Sequence, residues 1–160
     1  MGMSIPLYYF TWFIRYFCVY LVVHLINSAI IHSQLPKVPY YIPFIVFILF
    51  DILLIIQSFF VQIFVTNSKI GIIFSILFFV LQYAISFIVN NNSNPSIEIN
   101  TAVSVVAHVA FGFAFKTMLY AESNKIDLTL TEELNYYQIS ITIASILINI
   151  VFWGLLTLYL

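Results

Sequence analysis

From Ile70 to Val89 the chain carries no charged side chain, and from Ile139 to Leu160 it again carries none. A helix needs about 20 apolar residues to cross the hydrocarbon core of a bilayer. Two further runs meet that length. Leu7 to Ile31 is interrupted by Arg15 and His24, and Ile42 to Val65 holds Asp51 as its one charge. Of the 160 residues, 63% are hydrophobic and 7% charged, whereas a soluble domain has roughly a quarter of its residues charged. That excludes a water-facing globular surface. It also excludes disorder, which requires low hydrophobicity. A net charge of −1 leaves no electrostatic footprint for nucleic acid. The single cysteine, Cys18, closes no internal disulfide. The expected fold is an all-α integral membrane protein with spans at 7–31, 42–65, 70–89 and 139–160.

A further apolar run, 102–121, is different. It carries His108 and Lys116, has Gly112 near its middle, and opens on small residues (Thr101, Ala102, Ser104, Ala107, Ala110). It reads as a weak span or as a re-entrant helical hairpin bending near Gly112. Broken helices at membrane depth are tolerated only where protein buries them.

The connections are short. Residues 32–41 hold two prolines, Thr66-Asn67-Ser68-Lys69 is a four-residue turn, and 90–97 is rich in asparagine. Residues 122–138 hold Glu122, Lys125, Asp127, Glu132 and Glu133. Thr129-Leu130-Thr131-Glu132 fits a capping box and predicts a helix start there. The start, Met1 to Pro6, lacks a signal-peptide pattern. The positive-inside rule favours a cytosolic N-terminus: Arg15 and Lys69 then fall towards the cytosol, and the Asn-rich loop falls outside. Asn91-Asn92-Ser93 is a glycosylation acceptor pattern on that outer loop.

Arg15 and Asp51 are the notable charges at membrane depth. A charge at the bilayer centre costs roughly 2.5–3.5 kcal/mol on insertion scales. Counted from the starts of their antiparallel spans, their heights differ by only about 5 Å. That predicts an Arg15–Asp51 pair closing the first two spans together. The alternative is an Arg15 that snorkels to headgroups beside a solitary Asp51. His24, His32 and His108 share no metal-ligand spacing and read as isolated packing histidines. Tyr8, Tyr9, Tyr40, Tyr41, Tyr136 and Tyr137 read as interfacial belts. The chain holds no Gly-x-Ser-x-Gly elbow and no phosphate-binding Gly-x-x-x-x-Gly-Lys loop. No catalytic, cofactor or metal constellation is expected, and the chain does not read as an enzyme.

Several motifs recur in a known order. Met1-Gly2-Met3 followed by Thr11-Trp12-Phe13 looks like an "M-G-L … S-W-F" span entry. Gln57-Ser58-Phe59-Phe60 through Thr66-Asn67-Ser68-Lys69 is similar to a Phe-rich span end with a polar-basic turn. Ala110-Phe111-Gly112-Phe113-Ala114 with Glu122 downstream looks like "A-F-G-F-G … E". Trp153-Gly154 through Tyr159-Leu160 is similar to a last span ending "W-Y-L". In this order they resemble the membrane domain of A-subfamily ABC transporters, the lipid-exporter group. Three positions depart from that pattern. His108 stands where the family has proline, Ala114 where it has glycine, and Ser123-Asn124-Lys125 where it has a Gly-rich turn.

The resemblance implies a partial type-2 ABC exporter membrane domain, the latter part of one half: four spans plus an exoplasmic re-entrant hairpin. It implies ATP-driven movement of a lipid or lipophile, with ATP and magnesium confined to a nucleotide-binding domain outside this sequence. Arg15, Asp51, Gly112 and Glu122 are then the structural and coupling candidates. The expected partners are membrane lipids, the remaining transporter segments and nucleotide-binding domains, in the plasma or an endolysosomal membrane. The competing expectation is a small structural accessory subunit of a multi-subunit membrane complex.

Overall fold

The computed structural model describes residues 5–63, 68–90, 96–131, 133–134 and 137–159. They form six helices: α1 (Ile5–Gln34), α2 (Tyr41–Ile63), α3 (Ser68–Asn90), α4 (Ile97–Val103), α5 (Ala107–Ser123) and α6 (Ile139–Tyr159). Among the described residues there is no β-strand, only an isolated bridge between Leu134 and Tyr137. Four helices, α1, α2, α3 and α6, are long and apolar enough to cross a membrane. Met1-Gly2-Met3, the glycosylation pattern at Asn91 and Thr66-Asn67 lie outside the described residues, while Ser68 and Lys69 of the expected turn already belong to α3.

Sequence explains where α1 and α2 meet. Pro36 and Pro39 cannot continue a helix, and Pro43 sits in the first turn of α2, where a missing N–H costs nothing. The turn at 35–40 closes with Val38 N–H donating to Leu35 O at 2.9 Å. Val38, Ile42 and Val46 pack there against Ala114, Met118 and Ala121 of α5, with Leu128, Leu134 and Ile139 alongside. This end of the bundle is the turn end below.

The fifth apolar run is broken, but not at Gly112. That residue lies inside the continuous α5, and the break falls at 104–106, between α4 and α5. The reason lies on another helix. Ala107, Ala110, Ala114, Thr117 and Ala121 form a small-residue stripe on α5, all at most 2% exposed, which lets neighbouring helices approach closely. Along α6, Thr142, Ser145 and Asn149 form a polar stripe. Thr142 Oγ1 donates to Ala110 O at 3.0 Å, Ser145 Oγ to Ser104 O, and Asn149 Nδ2 to Val105 O at 2.8 Å. Helix ends leave carbonyls without partners, and here α6 supplies those partners beside the break. Ala107 packs with Leu53 and Ile146. Leu53 lies twelve residues into α2, about 18 Å along it from the turn end.

The far end of α5 returns to the turn end. Lys37 N–H donates to Glu122 Oε2 at 2.9 Å and Lys125 Nζ donates to Oε1 at 2.8 Å, while Lys37 Nζ meets Asp127 at 2.8 Å. Lys125 adopts φ 58°, the left-handed conformation that glycine ordinarily takes past a helix end. Its ion pair with Glu122 helps to hold it there.

No helix starts at the Thr129 capping-box pattern. Residues 126–131 are irregular, Glu132 lies outside the described residues, and the next helix begins at Ile139. Tertiary bonds win here: Leu128 N–H donates to Lys37 O at 3.0 Å and Ser140 N–H to Leu130 O at 2.9 Å, and Leu128 is buried. Tyr137 is likewise no belt residue. It is 1% exposed, and its Oη meets the hydroxyls of Ser104 and Thr142 at 3.0 Å each. Tyr136 lies outside the described residues.

The charged cluster carries a pH window. Lys125, and then the Lys37 N–H, hold the Glu122 carboxyl below its ordinary value of 4.5. Asp127 raises Lys37 above 10.5. A depressed carboxyl stabilises fully above its unfolded value and loses that contribution as pH falls through the folded one. A raised lysine contributes fully below 10.5 and is lost above it. The attachment of α5 is therefore strongest between these limits. In hydrogen exchange corrected for intrinsic rates, protection of the Lys37 amide should fall below pH 4.5. Glu122→Gln should lower that protection at neutral pH and flatten its acid dependence.

Candidate functional site: a buried histidine–aspartate pair

An ionisable side chain at membrane depth needs a partner. Asp51 on α2 finds His24 on α1, whose Nε2 meets Asp51 Oδ2. The residues are 8% and 9% exposed. The partner of Asp51 is thus not Arg15. Counted outward from the shared turn, His24 lies ten residues before Gln34 and Asp51 ten residues after Tyr41. Both sit about 15 Å from the turn end, so the two face each other. Arg15 lies nine residues further along α1, about 14 Å away along the axis and out of reach. It is exposed, with its guanidinium 5.3 Å from the Trp12 ring centroid.

Aromatic rings stack on the histidine of the pair. On α1, Tyr8, Trp12, Tyr16, Tyr20 and His24 recur every four residues, with successive centroids between 5.5 and 6.4 Å. His24 also stacks on Phe47 of α2 at 4.8 Å and 8°. Phe47 continues to Phe111 and Phe115 of α5 at 5.8 and 5.7 Å. Phe111 stacks on Phe50 at 4.2 Å, and Phe50 meets the His108 ring edge-on at 4.9 Å. Gly112 therefore sits between two aromatic residues that join α5 to α2.

The pair holds α1 against α2. His24 Nδ1 and the neighbouring buried Ser28 Oγ find no hydrogen-bonding partner among the described residues. His32 ties the end of α1 to the turn: its Nδ1 donates to Val38 O at 2.8 Å. Among the described residues no three His, Cys, Asp or Glu side chains converge as metal ligands would. A weaker polar contact joins α2 to α3, where Gln57 Nε2 donates to Gln82 Oε1 at 3.5 Å.

Sequence reasoning by span depth missed His24 as the partner, although equal counts from the proline turn identify it. It also missed the Thr142–Ser145–Asn149 stripe, whose spacing of three and four residues on an apolar helix was its visible signal.

Removing one partner strands a buried polar group, which costs about 1–3 kcal/mol. His24→Leu and Asp51→Leu should each destabilise the protein by about that amount in detergent unfolding. The double replacement should recover most of the loss, because apolar substitutes for a buried pair are often neutral. Arg15→Ala should change stability by less than about 0.5 kcal/mol. An Arg15→Ala loss matching that of Asp51→Leu would restore the Arg15–Asp51 pair. No known family's sequence profile matches the chain, and no curated protein is significantly similar to it.

Proposed function

We propose that this chain is part of the membrane domain of an ATP-driven lipid or lipophile transporter, of the type-2 ABC exporter kind that its motifs resemble. The supporting observation is the broken segment 97–123. Its break lies beside Leu53, Ser145 and Asn149, well along α2 and α6, while Glu122 at its far end bonds the α1–α2 turn. A break at depth followed by a return to the turn end is the course that a re-entrant hairpin would take, and it supports that reading. The resemblance implies such an element on the outer face, between the third and last spans.

In this reading α1 and α2 move as one body, clamped by His24–Asp51 at mid-depth. Transport proceeds between alternately populated states biased by nucleotide. Closure of separate nucleotide-binding domains supplies that bias, and this chain contributes lipid-facing wall and the outer hairpin. Its membrane is the plasma or an endolysosomal membrane.

One observation favours a second reading, a structural accessory subunit. α3 carries a nearly continuous exposed apolar surface, from Ile70 and Ile72 to Phe87 and Ile88, which suits partner helices as well as lipid.

Purification from native membranes in mild detergent, using an antibody to residues 122–131, separates the two. The transporter reading predicts vanadate-sensitive ATP hydrolysis in the eluate and ATP-dependent movement of a fluorescent phospholipid after reconstitution. A stoichiometric complex with no nucleotide hydrolysis would overturn it in favour of the accessory subunit.

A further inference from the structure

We propose that the hollow between α1 and α2 binds the glycerol headgroup of a neutral lipid of the monoacylglycerol class, an ester with two free hydroxyls. This goes beyond the transporter reading and does not depend on it. The hollow holds about 280 Å³ and is lined by Tyr16, Tyr20, Leu54, Ile55, Ser58, Phe59 and Gln62. Polar atoms form a large share of its wall, whereas the hollow at Gly154 is almost wholly apolar. Polar groups held in apolar surroundings carry a cost unless something bonds them.

Helix register brings these groups together. Ser58 and Gln62 lie four residues apart on α2, and Tyr16 and Tyr20 four apart on α1, so each pair shares one helix face. Gln62 is the last residue but one of α2, and Leu54 lies nine residues from its end. The hollow therefore runs from the end of a span to about 14 Å along it, with its outer part at the level of lipid headgroups. Tyr16 and Tyr20 are exposed, which leaves the hollow open to lipid from the side. Their rings stack at 6.4 Å, Tyr16 also on Trp12 and Tyr20 also on His24. Both phenols are thus held in place before a ligand arrives.

Donors and acceptors match a glycerol monoester. Ser58 Oγ donates its proton to Leu54 O at 2.8 Å, so only its lone pairs remain for a ligand. The Gln62 carboxamide both donates and accepts, and the phenols donate. The side chains of Tyr16, Tyr20 and Gln62 make no hydrogen bond among the described residues. Two ligand hydroxyls donate to Ser58 Oγ and Gln62 Oε1, and the ester carbonyl accepts from a phenol. A saturated chain leaves all of these groups unbonded. A charged headgroup meets no opposite charge in the lining.

The test uses the full chain in phosphatidylcholine nanodiscs, with tyrosine labelled with carbon-13 at Cζ. The probes are 1-oleoylglycerol and methyl oleate, which share acyl chain and ester; only the first carries the two hydroxyls. Tyr16→Phe and Tyr20→Phe assign the two resonances. The proposal predicts a saturable shift of both with 1-oleoylglycerol. It predicts affinity for methyl oleate about tenfold weaker, the worth of one buried hydrogen bond. Ser58→Leu should fill the hollow and abolish the saturable shift. Gly154→Leu, at a position where an added Cβ meets no atom within 4 Å, fills the apolar hollow instead and should leave binding unchanged. Ser58→Ala combined with Gln62→Leu removes the acceptors without adding bulk, so both probes should then bind alike. That variant keeps the proposal testable if Ser58→Leu fails to fold. Absence of a saturable shift, which would leave the hollow to water alone, would overturn it. So would equal affinity for the two probes, binding untouched in a folded Ser58→Leu protein, binding lost in Gly154→Leu, or discrimination that persists once both acceptors are removed.

Discussion

A helix interrupted in apolar surroundings leaves backbone carbonyls that only protein can satisfy, and the arrangement of this chain follows from how that demand is met. The break between α4 and α5 falls where α6 presents Ser145 and Asn149 to Ser104 O and Val105 O. One turn nearer the turn end, Thr142 bonds both Ala110 O and Tyr137 Oη, and Ser104 Oγ reaches the same phenol. These bonds fix the register of α5 against α6. The alanine stripe of α5 then lets it pack closely on α6, and Ala107 and Ala114 share apolar clusters with side chains of α2. With its start fixed beside Leu53 and its length only seventeen residues, α5 ends near the α1–α2 turn, where Glu122 finds Lys37.

The His24–Asp51 pair does for α1 what the hydroxyl stripe does for α5. α1 packs chiefly on α2, and most of its surface is exposed. Dispersion between apolar helices gives little directional information in a membrane, where lipid tails compete equally well. A single hydrogen-bonded pair, placed symmetrically about the proline turn, sets both register and rotation. The aromatic ladder carries the same register along α1, and Phe47 transmits it to α5.

The long apolar helices were legible because their signal is local: length and charge suffice, and the bounds differ by only a few residues. α1 runs Ile5–Gln34 against the run at 7–31, and α2 runs Tyr41–Ile63 against 42–65. The polar contacts were legible only in part. Asp51 stands out in an apolar run, yet its partner depends on how two helices align, and depth counted from opposite membrane faces accumulates error at each uncertain boundary. Gly112 looked like the hinge because glycine is permissive, but a break settles where carbonyls can be satisfied, and that information sits forty residues away on α6. Tyr137 and the Thr129 pattern misled for the same reason: in both, a tertiary partner outweighs a local preference.

The re-entrant course of 97–123 is the claim on which the account turns, and side-specific cysteine labelling tests it most directly. In a Cys18→Ala background, single cysteines at Lys37, Lys69 and Ser123 would be exposed to a membrane-impermeant maleimide from each face of sealed vesicles. The account predicts that positions 37 and 123 label from one face and position 69 from the other. Labelling of position 123 from the same face as 69 would mean that the segment crosses the bilayer, and would contradict the account.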